Sequence, residues 1–81
     1  MKSLRTEKFR QQLANLPVST QRKFDKQLRF LIADLRHPSL RAKKYDESQG
    51  IWQARVDDHY RFYFIIDGNA YVLFNILSHA D

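Results

Sequence analysis

Two arginines six residues apart, Arg55 and Arg61, flank the triplet Asp57, Asp58 and His59 in the stretch IWQARVDDHYRFYF. A three-residue loop at that triplet closes a hairpin that pairs Val56 with Tyr60, Ala54 with Phe62 and Trp52 with Phe64. A two-residue loop would set Arg55 against Tyr60 and mix the polar and apolar faces. The longer loop is therefore predicted, and it places Arg55 directly opposite Arg61. Like charges facing each other across strands cost up to about 1 kcal/mol. Two guanidiniums side by side are also a fork for phosphate, because each presents planar, bidentate donors. Spacing alone leaves two readings: an anion site, or a solvated pair that splays toward Asp57, Asp58 or Glu47.

Other groups belong to the same chemistry. Gln53 and Tyr63 fall on the arginine face, where an outward tyrosine ring can stack on a base. Asp67, Gly68 and Asn69 signal a further turn, and residues 70–77 a further strand. A three-residue loop there sends Val72, Phe74 and Ile76 to the core and Tyr71, Leu73, Asn75 and Leu77 outward. The reverse assignment would bury an unpaired Asn75 side chain at a cost of about 1 to 3 kcal/mol. The preferred register sets Asn75 opposite Arg61 and lets His79 leave toward the arginine face. Arg41, Lys43 and Lys44 make the segment 37–50 basic before it turns polar.

The elements that hold these groups follow from apolar spacing. Residues 1–6 form a short first strand. Phe9, Leu13 and Leu16 recur at helical spacing and stop before Pro17. Ser19 or Thr20 caps a second helix, which buries Phe24, Leu28, Leu31, Ile32 and Leu35, shows a basic stripe of Arg22, Lys26 and Arg29, and is ended by Pro38. His37 and His59 read as structural or incidental. Trp52, Tyr60, Phe62 and Phe64 alternate inward and read as core. The fold class is α+β: a short strand, a helical hairpin and a three-stranded antiparallel meander.

Size and charge bound the function. A chain of 81 residues is one domain, residues 1–81, and buries only about 60 to 65% of its unfolded surface. Fourteen Lys and Arg against nine Asp and Glu give a net charge of +5, which suits an anionic partner. Without cysteine there is no disulfide framework and no thiolate metal site, in keeping with a reducing cytoplasm. No segment approaches the ~20 apolar residues that span a bilayer, and residues 1–9 carry no apolar signal core. A soluble cytoplasmic protein is expected.

The order of elements, with HPSLRAKK after the second helix, the IWQARV and HYRFYF hairpin and the closing LSHAD, resembles the RelE/ParE superfamily of toxins from type II toxin-antitoxin pairs. The resemblance covers nearly the whole chain. It implies a ribosome-dependent messenger RNA endoribonuclease that works without metal or cofactor. In that role Arg61 stabilises the phosphorane, Arg55 assists, and His79 is general acid or base. Arg41, Lys43 and Lys44 grip RNA phosphates, and Tyr63 stacks on a base. It also implies an acidic antitoxin, which would cover Ile51, Ile65, Leu73, Leu77 and the basic stripe of the second helix. The alternative within the same resemblance is a DNA gyrase inhibitor or a non-cleaving nucleic-acid-binding relative. Gln53 and Ala80 depart from the pattern, standing where active nucleases carry a basic residue and a tyrosine or further basic residue.

Overall fold

The computed structural model describes residues 1–79, so Ala80 lies outside the described residues. The chain opens with β1 (Lys2–Arg5), then α1 (Glu7–Ala14). Thr6 starts that helix by accepting the Phe9 N–H on its hydroxyl at 3.1 Å, with Glu7 favourably placed in the first turn. Phe9 and Leu13 are buried as their spacing predicts.

The second helix, α2 (Val18–Ala33), is capped differently from expectation. Pro17 stands at the N-cap and its carbonyl accepts from Thr20 and Gln21, at 2.9 and 3.0 Å. Proline presets the entry dihedral and has no N–H to satisfy. Ser19 and Thr20 therefore lie inside the first turn, with Thr20 buried. At the other end the helix stops at Ala33, short of Pro38, because Asp34 is already extended. Pro38 instead opens a 3-10 turn, Pro38–Leu40, where His37 Nδ1 accepts from the Ser39 N–H at 3.2 Å. Phe24, Leu28 and Leu31 are buried, while Ile32 remains 40% exposed.

The sheet has five strands, adding β2 (Lys43–Asp46), β3 (Ile51–Arg55), β4 (Tyr60–Asp67) and β5 (Ala70–Ser78), in the order β1-β5-β4-β3-β2. Strand β1 runs parallel to β5 and the other pairs are antiparallel. β2 was not expected: KKYD is polar, and as an edge strand it shows no apolar run. The first hairpin has the predicted register, with Trp52 opposite Phe64, Ala54 opposite Phe62 and Arg55 opposite Arg61. Phe62 and Phe64 are fully buried. Phe24 from α2 meets Phe62 edge-on at 5.3 Å, and Phe9 tilts against Phe24 at the same distance, so both helices dock on one face. That leaves the opposite face, with the arginines, uncovered by α1 or α2.

The last strand corrects the predicted register. The turn is the two-residue Gly68 and Asn69, with Asp67 opposite Ala70; Gly68 supplies the positive φ of 59° at the first turn position. Tyr71 and Leu73 thus enter the core in place of Val72 and Phe74. A bulge at Phe74 then restores the alternation, putting Ile76 opposite Phe62 in the core and Asn75 outward, opposite Tyr63 rather than Arg61. The cost of burying Asn75 is avoided, by an extra residue rather than by a longer turn.

The bulge has its own support. β1 pairs β5 only as far as Leu73, so the later amides on that edge lack a strand partner. Gln12, on α1, fills the gap: its Oε1 accepts from the Ile76 N–H at 3.0 Å and its Nε2 donates to Asn75 Oδ1 at 2.8 Å. A side-chain carboxamide thereby continues the edge that a backbone leaves off.

Candidate functional site

The outward face gathers the arginine pair. Arg55 and Arg61 are cross-strand partners at the end of the β3-β4 hairpin, and both are half-buried. Each folds back onto the loop. Arg55 Nη2 pairs with the Asp58 carboxylate. Arg61 Nη1 donates to the main-chain carbonyls of Asp57 and Tyr60, at 2.5 and 3.0 Å. The like charges are thus tolerated because one is neutralised and the other caps carbonyls. Among the described residues, Arg61 Nε and Nη2 have no partner, which leaves half of its fork for a ligand.

Asp57 organises that loop. Its Oδ1 accepts from the amides of His59 and Tyr60, at 2.8 and 2.9 Å, and Lys23 of α2 approaches Oδ2 at 3.4 Å. Burial pushes its carboxyl upward, but the two amides and Lys23 outweigh it and hold the group below the ordinary carboxylate value. The carboxylate is therefore ionised when the arginines are charged, and the loop that presents them is fixed.

Beside the arginines lies an aromatic surface. Gln53, buried, donates from Nε2 to the Tyr63 hydroxyl at 3.0 Å. Tyr45 of β2 meets the Tyr63 ring edge-on at 5.1 Å. With Ile51, Phe74, Asn75 and Leu77 these two tyrosines line a concavity of about 230 Å³. Tyr45 was missed by sequence reasoning because its strand was; alternation within KKYD was the signal that could have found it. The Gln12 contact had no sequence signal, since it joins residues 63 apart.

The two lysines part company. Lys43 sits opposite Gln53 and so shares the arginine face, whereas Lys44 sits opposite Trp52 and places its ammonium 5.1 Å from the indole centroid on the helix side. Arg41 is elsewhere again, exposed in a left-handed conformation, φ 46° and ψ 42°, at the rim of a groove against α2. Leu73, expected outward, is fully buried and cannot face a partner. Leu77 lies opposite Arg61, and the His79 N–H donates to the His59 carbonyl at 2.6 Å. The chain thus carries exposed His79 alongside the arginine hairpin.

The face offers cationic donors and the half-buried ring of Tyr63, and the backbone of His79 runs beside the same hairpin. That set can bind a phosphodiester and neutralise charge as it develops on it.

Comparison with known proteins bears on the fold and family. The family model for the ParE toxin of the type II toxin-antitoxin system, parDE, matches residues 4–81. No curated protein matches in sequence. Among solved structures, the YoeB/ParE toxin from Agrobacterium tumefaciens superposes with a TM-score of 0.81 at 14% identity, covering 99% of this chain and 100% of that one. The archaeal RelE-RelB complex from Pyrococcus horikoshii gives 0.78 at 15% identity, covering 95% and 92%. The intact Escherichia coli RelBE toxin-antitoxin complex gives 0.78 at 10%, covering 99% and 98%. At these identities the likeness is one of fold.

Proposed function

The chain belongs to the ParE toxin family of type II toxin-antitoxin systems, and on that premise we propose that it arrests translation by cutting messenger RNA on the ribosome. The observation that carries this reading is the Arg55 and Arg61 pair, set face to face on the sheet surface that no helix covers. In the reaction the RNA 2'-hydroxyl gives up its proton and its oxygen bonds to the adjacent phosphorus. The bond from phosphorus to the 5'-oxygen then breaks, and that oxygen takes up a proton. The products are a cyclic 2',3'-phosphate and a 5'-hydroxyl. The free half of the Arg61 guanidinium stabilises the doubly charged phosphorane, and Arg55 assists when its contact with Asp58 yields to phosphate. His79 is the group able to move a proton at either oxygen. Tyr63 stacks on a base, and Lys43 holds a neighbouring phosphate.

The chain works in the cytoplasm against an acidic cognate antitoxin; the two RelE structures described above are toxin-antitoxin complexes. Among the described residues no helix is long and apolar enough to cross a membrane.

A second reading, inhibition of DNA gyrase, is favoured by Gln53, which is buried and neutral where the resemblance to nucleases asks for a basic side chain. Induction of the protein in bacteria separates the two. Primer extension on a translated message should reveal new cuts, with gyrase supercoiling unaffected. Intact messages together with trapped DNA breaks would replace the first reading by the second.

A further inference from the structure

A second basic site lies outside the arginine face. Between α2, the Pro38–Leu40 turn and the end of β3 runs a groove of about 550 Å³, with Lys23, Lys26, Arg41 and Arg55 around a floor of Gln27 and Ser39. From this lining we infer a binding track for the RNA phosphodiester backbone, leading away from the arginine pair. The inference rests on the ribonuclease reading and adds where the flanking nucleotides lie.

The cationic walls favour an anionic ligand. Gln27 is buried and held on both ends: Nε2 donates to the carbonyls of Ser39 and Arg55, at 3.0 and 2.8 Å, and Oε1 accepts from the Ser39 hydroxyl at 2.8 Å. Both of its amide protons are spent on the protein, and its oxygen is held by Ser39. The walls are lysine and arginine, which only donate. Asp57, the one carboxylate on the lining, is engaged by Lys23 and by two loop amides. Among the described residues neither Lys26 nor Arg41 is paired with a carboxylate. Lys26 instead rests 5.9 Å from the Phe30 ring centroid, and Phe30 stacks on His37 at 3.8 Å, so the groove wall is held in place by aromatic contacts.

An acidic peptide would also supply acceptors, but the surface does not suit it. A disordered segment that orders on binding must bury apolar area to offset its lost entropy. The groove lining holds only Pro38 and Val56 of that kind, and Val56 is buried. Tyr45, Leu77 and Ile66 are exposed on the sheet, and the exposed Val18 and Ile32 of α2 are not part of the groove lining. RNA backbone needs no such area, since its binding draws on released counterions. Arg55 borders the groove at the end of β3, where Gln27 donates to its carbonyl, and is also the cross-strand partner of Arg61, so the groove ends beside the arginine pair.

The test is fluorescence anisotropy of the purified protein with a short 2'-O-methyl RNA, which cannot be cut, over a range of salt. Lys26→Gln with Arg41→Gly removes two cations, and glycine is at ease at the positive φ of residue 41, so the melting temperature should hold. Each lost phosphate contact lowers the slope of log affinity against log salt by about 0.7, and affinity at 50 mM salt by about eightfold. The double variant is expected to lose about 1.4 in slope and bind about sixtyfold more weakly, by the same counterion arithmetic. A parent-like slope in the folded variant overturns the track. If Arg61→Ala still stops cleavage in that case, the ribonuclease reading survives alone. Loss of affinity only for an acidic peptide, with RNA binding intact, gives the groove to the antitoxin and overturns the inference. Tighter binding of a matched DNA strand overturns the choice of RNA, and binding of no nucleic acid at any salt overturns the track, while primer extension on a translated message decides the ribonuclease reading separately.

Discussion

Replacing Arg61 by alanine tests the site and the fold together, and the two effects have opposite electrostatic origins. The substitution removes a like-charge pair, which returns up to about 1 kcal/mol. It also removes two hydrogen bonds from Nη1 to the carbonyls of Asp57 and Tyr60. Bonds from a charged donor contribute about 1.5 to 3 kcal/mol each. These two share one nitrogen on a half-exposed side chain, so about 2 kcal/mol together is the fitting figure by the same scale. The balance is a loss of about 1 kcal/mol, or about 4 to 8 °C in Tm for a domain of this size. Chemical denaturation should show the loss with an unchanged m-value, because the buried surface is the same. In primer extension the cleavage rate should fall by about 10²- to 10³-fold, as when one donor to a developing oxyanion is removed. Arg61→Lys, which keeps the charge and loses the planar fork, should fall between the two. A variant more stable than its parent would mean that the carbonyl contacts contribute little. Full cleavage by the folded variant would show that the arginine pair is only a solvated face.

Three further outcomes follow from named contacts. Gln12→Ala leaves the Ile76 amide and Asn75 Oδ1 without partners, so stability should fall by about 1 to 3 kcal/mol and the Ile76 amide should lose its protection in hydrogen exchange; unchanged protection would show that the edge is held some other way. Asp57 has a depressed carboxyl value in the folded state, so its contribution to stability is complete above its ordinary value of 3.8 and disappears as the pH falls through the lower folded-state value. Asp57→Asn keeps the acceptor for the His59 and Tyr60 amides but cannot titrate, and its acid-unfolding curve should be flatter below pH 3.8; an identical curve would remove Asp57 from the acid response. Tyr63→Phe keeps a stacking ring and loses the hydroxyl that accepts from Gln53, so it should cost about 1 kcal/mol of stability with cleavage retained, whereas Tyr63→Ala should weaken RNA binding by about 1 to 3 kcal/mol; equal RNA binding by both variants would take Tyr63 out of the interface.

What the sequence made legible depended on how much each segment had to lose by being wrong. The β3-β4 hairpin carries large apolar side chains on one face only, and a slip of one residue would expose Phe62 and Phe64 together. Its register, and with it the opposition of Arg55 and Arg61, could therefore be read directly. β5 has apolar residues on both faces, so alternation there fixes nothing. Tyr71 and Leu73 serve the core as well as Val72 and Phe74 would, and turn geometry at Gly68 decides. Asn75 was the informative residue in that strand. It had to avoid the core, and the bulge at Phe74 is the local change that lets it do so after a two-residue turn. That same bulge brings Leu77 opposite Arg61, where the longer turn would have put Asn75, while His79 still ends beside His59 at the arginine hairpin. The amide of Asn75 is consequently committed to Gln12, and the neighbour of Arg61 on β5 is an apolar side chain. A guanidinium flanked by apolar surface on one side and its own loop on the other interacts more strongly with phosphate than one in open water. The placement that the periodicity could not read is thus the one that tunes the arginine on which the proposed chemistry turns.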